Sequence, residues 1–123
     1  VVIAVLAILA AVAIPSFQGV QARAKTAAVK NGLVNGIKEC IVSDGLDNGT
    51  KFANARALNE GNYTGYDVVK RQGVDSCYQA QANPDADADV TTFGYFIIEY
   101  DPTTGVTNKI CDGNKAGCKA SAW

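Results

Sequence analysis

The chain has 123 residues, enough for one compact domain carrying an extended element. A net charge of −1 at pH 7 excludes the basic surface that general nucleic-acid binding uses, so no nucleic acid is expected as a direct partner. With no histidine, the commonest general base and metal ligand are missing, and no carboxylate pair stands out. The expectation is therefore a structural or binding protein, not an enzyme, with no cofactor and no metal site.

The first stretch is VVIAVLAILAAVAI, residues 1–14, without a polar side chain. As a helix it is about 21 Å long at ~1.5 Å per residue. A bilayer core of about 30 Å needs about 20 apolar residues, so the run falls about six short. It has no polar face, which excludes an amphipathic surface helix. A buried core helix and a signal h-region are the competing readings, but Pro15-Ser16-Phe17 makes a poor cleavage site and the helical pattern continues past it. The expectation is the C-terminal part of a membrane-spanning helix whose first turns precede Val1. The chain also lacks methionine, so Val1 is not expected to be the translation start.

Pro15 lacks an N–H and its ring clashes with the Ala11 carbonyl, so a kink is expected there. Beyond it, Phe17, Val20, Ala24, Ala27/Ala28, Leu33, Ile37 and Cys40/Ile41 recur at helical spacing and predict a core-facing stripe. Gly32 and Gly36 form a GxxxG, read as close approach of a sheet rather than helix pairing in lipid. Ser43-Asp44-Gly45 predicts the stop, with Gly45 as left-handed cap. Arg23, Lys25, Lys30 and Lys38 read as a solvated helix face. By the positive-inside rule they pull this side toward the cytoplasm, against the cysteines; the cysteines are given precedence.

Residues 44–73 are rich in Gly, Asn and Asp and read as loop, apart from a short helix over Phe52–Leu58. Asn48-Gly-Thr50 and Asn62-Tyr-Thr64 fit the glycosylation sequon, a pattern frequent enough by chance that modification is left open. Val74–Ala82 predicts a strand broken by Asn83-Pro84-Asp85. Asp85, Asp87 and Asp89 alternate like the start of a calcium loop, yet Val90 and Phe96 stand where an EF-hand needs Gly and Glu. An irregular calcium site or a solvated acidic turn remain. Thr91–Tyr100, apolar on both faces, predicts a central strand. A turn over Asp101–Gly105 then returns the chain along Val106–Cys111. Phe93, Tyr95, Phe96 and Tyr100 are read as core aromatics. Cys40, Cys77, Cys111 and Cys118 form no CxxC pair, and two disulfides in an oxidising compartment are expected; three pairings are open.

The segment VVIAVLAILAAVAIPSFQGVQARAKTAAVKNGL, about a third of the chain, resembles the N-terminal helix of type IV pilins and their pseudopilin relatives. The shared features are the Val/Ile/Leu/Ala run, the Ala-Ile-Pro closing it, the aromatic soon after and the Gln/Arg/Ala/Lys-rich continuation. The resemblance implies an α+β pilin fold, with a long protruding N-terminal helix packed on a small antiparallel sheet of three or more strands. Residues 1–15 are then the apolar half of the helix. Residues 16–123 are the head, with loop 44–73, sheet 74–111 and a C-terminal disulfide loop over 111–118. It also favours pairing Cys40 with Cys77 and Cys111 with Cys118.

The implied function is a subunit that polymerises into a surface pilus filament, for motility or adhesion. Val1, Val2, Ile3, Val5, Leu6, Ile8, Leu9, Val12 and Ile14 form the filament core and Pro15 the helix kink. Implied partners are identical subunits, the inner membrane before assembly with the head periplasmic, the assembly machinery and the prepilin peptidase. The alternatives are the major pseudopilin of a type II secretion system and a single-pass anchored periplasmic binding module. One departure concerns the family's methylated Phe or Met start and the glutamate after it, which fall upstream of Val1 when the prolines are aligned.

Overall fold

The structure, a computed structural model, describes the backbone of residues 2–123 and the side chains of residues 4, 5 and 19–123. Its first element, α1, is a helix over Val2–Gly45, 44 residues or about 66 Å long. Alanine, leucine, lysine and glutamine, all strong helix formers, carry it. The chain is helical on both sides of Pro15. The Pro15 side chain, and with it the expected kink, lies outside the described residues.

Among the described residues of α1 the buried ones are Thr26, Val29, Gly32, Leu33, Gly36, Ile37 and Cys40, one stripe at three- and four-residue spacing. The Thr26 hydroxyl is satisfied inside the helix, donating to the carbonyls of Ala22 at 3.2 Å and Arg23 at 3.1 Å. Of the predicted stripe, Leu33, Ile37 and Cys40 are buried and the other described members are not; the Phe17 side chain lies outside the described residues. Ala24, Ala27 and Ala28 are exposed, as are Val20 and Ile41. At ~100° per residue these alanines lie opposite Val29 and Leu33. The larger side chains bury more apolar area, so they take the core face.

The helix ends at Gly45, as predicted, but the left-handed residue that caps it is Asp47 (φ 59°) and not Gly45. The Asn48 N–H reaches the Ser43 carbonyl at 2.9 Å and the Asp47 N–H reaches Asp44 at 3.0 Å, the bond pair of a Schellman cap. Aspartate tolerates this conformation because its short polar side chain fits it.

Residues Phe52–Asn54 form a 3-10 turn and Arg56–Asn59 a single helical turn, α2, close to the predicted short helix. Glu39 of α1 accepts from the Ala57 N–H at 2.9 Å, satisfying a donor in the first turn of α2. The close approach that Gly32 and Gly36 allow is to this segment and not to the sheet. A Cβ at Gly32 would overlap the Tyr63 ring, and one at Gly36 would overlap Leu58.

Four strands follow as an antiparallel meander in the order β1-β2-β3-β4: β1 over Tyr66–Lys70, β2 over Gln79–Pro84, β3 over Phe96–Asp101 and β4 over Val106–Cys111. β1 lies in the stretch read as loop. β2 begins later than predicted and runs through Asn83 to Pro84, paired with Asp67 and Tyr66 of β1. Its fully buried Ala80 and Ala82 belong to the core that α1 closes, and their small size leaves room for the helix. β3 is central, as expected, with Phe96, Ile97 and Ile98 all buried. It starts five residues after Thr91 because Asp89 captures Thr91 and Thr92 in a turn.

Candidate helix-packing surface

Among the described residues, α1 leaves a surface uncovered at Ala4 and Val5 and again from Gly19 to Val42. Among the described side chains of α1, the first buried one is Thr26. Val5 is 53% exposed and Val20 is 61% exposed. Ala24, Ala27, Ala28, Asn31, Asn35 and Val42 continue the exposed face to the far end of the helix. These are small or short polar residues with little bulk to hold another helix away. Of the residues assigned to a filament core, Val5 is therefore open. All of Val1 and the side chains of Val2, Ile3, Leu6, Ile8, Leu9, Val12 and Ile14 lie outside the described residues. Among those described, no helix is long and apolar enough to cross a membrane.

The opposite face of α1 is fixed to the head at three heights. At its far end Cys40 is joined to Cys77, with Cα atoms 5.5 Å apart and both residues fully buried. Beside it the Tyr78 hydroxyl donates to Asp44 at 2.7 Å, and that bond pushes the phenol up to about 12. At mid-height Tyr63 and Leu58 press on Gly32 and Gly36. At the lower end the disulfide loop Cys111–Cys118 docks through Gly117. Lys30 Nζ donates to the Gly117 carbonyl at 3.1 Å, and a Cβ on Gly117 (φ +76°) would meet the Thr26 side chain at 2.8 Å. Both disulfides are the favoured pairs.

The four basic residues do not form one solvated face. Lys25 Nζ lies 5.8 Å from the centre of the Phe93 ring and Lys30 Nζ lies 5.9 Å from that of Phe96, both half-buried. Only Arg23 and Lys38 stand exposed. Phe93 and Phe96 both flank Tyr66, whose buried hydroxyl donates to the Gly94 carbonyl at 3.0 Å. Burial pushes that phenol up to about 12.

A cleft of about 370 Å³ opens between Lys25, Tyr66, Phe93 and the turn carrying Asp85, Asp87 and Asp89. The alternation of acids does not become convergence. The Asp89 carboxylate accepts from the Thr91 N–H at 2.9 Å, the Thr91 hydroxyl at 2.6 Å and the Thr92 hydroxyl at 2.8 Å. These bonds, led by the Thr91 hydroxyl, hold it down at about 2. Among the described residues no group of three or more His, Cys, Asp or Glu is placed to hold a metal ion.

Sequence reasoning missed Glu39 as the partner of α2, Gly117 as the docking point of the disulfide loop and the seating of Lys25 and Lys30. A lone glycine between Lys115-Ala116 and Cys118 was the single available signal for the second. Set against known proteins, the chain matches no family model, no curated protein and no solved structure.

Proposed function

We propose that this chain is the repeating structural subunit of a type IV pilus. Lipid holds the apolar N-terminal run first, and identical helices surround it in the filament. The single observation that carries this reading is the contrast along α1: a helix of about 66 Å whose first described buried residue is Thr26, preceded by an exposed Val5 and Val20. An all-apolar rod of this kind is stable only when something apolar encloses it. The exposed face of Ala24, Ala27 and Ala28 supports close helix packing beyond the run. The step is physical, with no bond made or broken. Contacts between copies are head-to-tail, so they propagate instead of closing into a ring.

The Cys111–Cys118 loop supports the pilus over the secretion pseudopilin, whereas a calcium held at residues 85–89 would favour the latter. Filaments sheared from intact cells and probed with antibody to residues 44–123 test the proposal. Antibody spaced regularly along the fibres is the expected result. Antibody confined to the cell envelope, with fibres unlabelled, overturns it in favour of an anchored module.

A further inference from the structure

Both sequon asparagines are exposed, and the two sites differ in how the chain around them is held. Asn48-Gly-Thr50 is tied down along its backbone, with Thr50 half-buried. Its first N–H is held in the helix cap by Ser43, and the Asn54 side-chain amide donates to the carbonyls of Asn48 at 3.0 Å and Gly49 at 2.8 Å. The Ser43 hydroxyl donates to Gly49 at 2.8 Å, and the Thr50 carbonyl accepts from Cys77 N–H at 2.7 Å, beside the buried disulfide.

Asn62-Tyr-Thr64 is held by its middle residue alone. Tyr63 packs its ring on α1 and donates its hydroxyl to the Ala57 carbonyl at 2.7 Å. Asn62 and Thr64 are exposed on either side of it, and neither side chain makes a hydrogen bond among the described residues. The residue carrying the acceptor amide and the residue carrying the hydroxyl that a transferase reads are therefore both exposed, with the bulky residue between them half-buried against α1. Beside them runs a groove of about 430 Å³ floored by Ala24 and Ala28 and edged by Gln21. Small side chains and one amide suit the polar and apolar faces of a sugar ring.

We infer that Asn62 is an N-glycosylation site and that, of the two sequons, the folded chain offers only this one. The donor is a sugar bound through its anomeric carbon to a lipid pyrophosphate. The C1–O bond to the phosphate breaks as the Asn62 Nδ2–C1 bond forms; the amide gives up one proton and the lipid pyrophosphate leaves. The inference does not rest on the pilus reading.

Trypsin separates the sequons, because Asn62 falls in the peptide 57–70 and Asn48 in 39–51. In protein purified from its native cells, peptide 57–70 gains the mass of a glycan and 39–51 does not. N62Q and T64A each abolish the gain, while T64S retains it. Disulfide mapping and circular dichroism show that all three variants stay folded, since neither side chain is bonded. An unmodified 57–70 peptide overturns the inference, as does a sugar that survives N62Q, which would mark an O-linked site. Sugar on both peptides overturns the claim that folding selects between them.

Discussion

The two halves of α1 have the same helical backbone and opposite surroundings. From Thr26 to Cys40 the helix is part of a core, with every third or fourth side chain buried and each height pinned by a different device. Toward the N-terminus the described positions up to residue 20, Ala4, Val5, Gly19 and Val20, are open. One half is held by contacts within the chain; the described positions of the other are exposed, and the proposed reading has its apolar contacts come from neighbouring copies. The difference is what the proposed reading turns on: a beam inside the head from Thr26 to Cys40, and a shaft preceding it.

The harshest way to break this contrast is a charge in the shaft. A lysine at the centre of an apolar helix costs about 2.5–3.5 kcal/mol in lipid, and every copy in a filament would carry it. Ile8→Lys is expected to abolish fibres while leaving head stability unchanged. Electron microscopy of cells and thermal melting of the purified chain read the two effects.

The disulfides come next, and they act on the beam alone. Replacing Cys40 and Cys77 with alanine removes a closure spanning 37 residues, worth about 4 kcal/mol by chain entropy. The Cys111–Cys118 pair closes a span of 7 and is worth about 2–3 kcal/mol. Denaturant midpoints of the two double variants should fall in that order. Equal losses would mean that the Cys40–Cys77 staple does not constrain the unfolded chain as this account requires.

Glycine sharpens the comparison further, because the same substitution changes sign between the halves. Gly19 has nothing within 4 Å of an added Cβ, so Gly19→Ala should stabilise by up to about 1 kcal/mol through helix propensity. At Gly32 the added methyl meets the Tyr63 ring. Overpacking of about 1–3 kcal/mol then exceeds the propensity gain, and Gly32→Ala should destabilise. Chemical denaturation of both variants checks the signs.

The smallest effect concerns the acidic turn, which touches neither half directly. The Asp89 carboxylate is lowered from 3.8 to about 2 by the Thr91 and Thr92 bonds. A depressed carboxylate contributes its share fully above 3.8 and loses it as pH falls through about 2, so the turn should outlast ordinary carboxylates in acid. Carboxyl carbon shifts followed by NMR should titrate Asp89 near 2, and Thr91→Ala should move that midpoint upward.

Much of the head was legible because its signals are local and strong. The turn at Asp101–Gly105 and the return along Val106–Cys111 follow from turn chemistry, and the central strand with Phe96 and Ile98 from a run apolar on both faces. β1 was not legible, since Tyr66-Asp-Val-Val-Lys70 neither alternates cleanly nor escapes the glycines around it. It becomes a strand through pairing with β2, which supplies the partners Ala82 and Gln81 for Val68 and Val69. The start of β3 was misplaced because β-branched Thr91 and Thr92 look like strand, while Asp89 binds both into a turn. On α1 the stripe failed at Ala24, Ala27 and Ala28 because alanine fits either face, and only the position of the sheet decides which one. The shaft's proposed role rests on composition and resemblance, joined by the open Val5 and Val20.

The most direct measurement is sedimentation of the intact chain in detergent-free buffer. The account predicts large polymers or aggregates that detergent disperses to single subunits, with the head unchanged in both. A freely soluble monomer without detergent, its first helical turns protected against proteolysis by its own head, would contradict it.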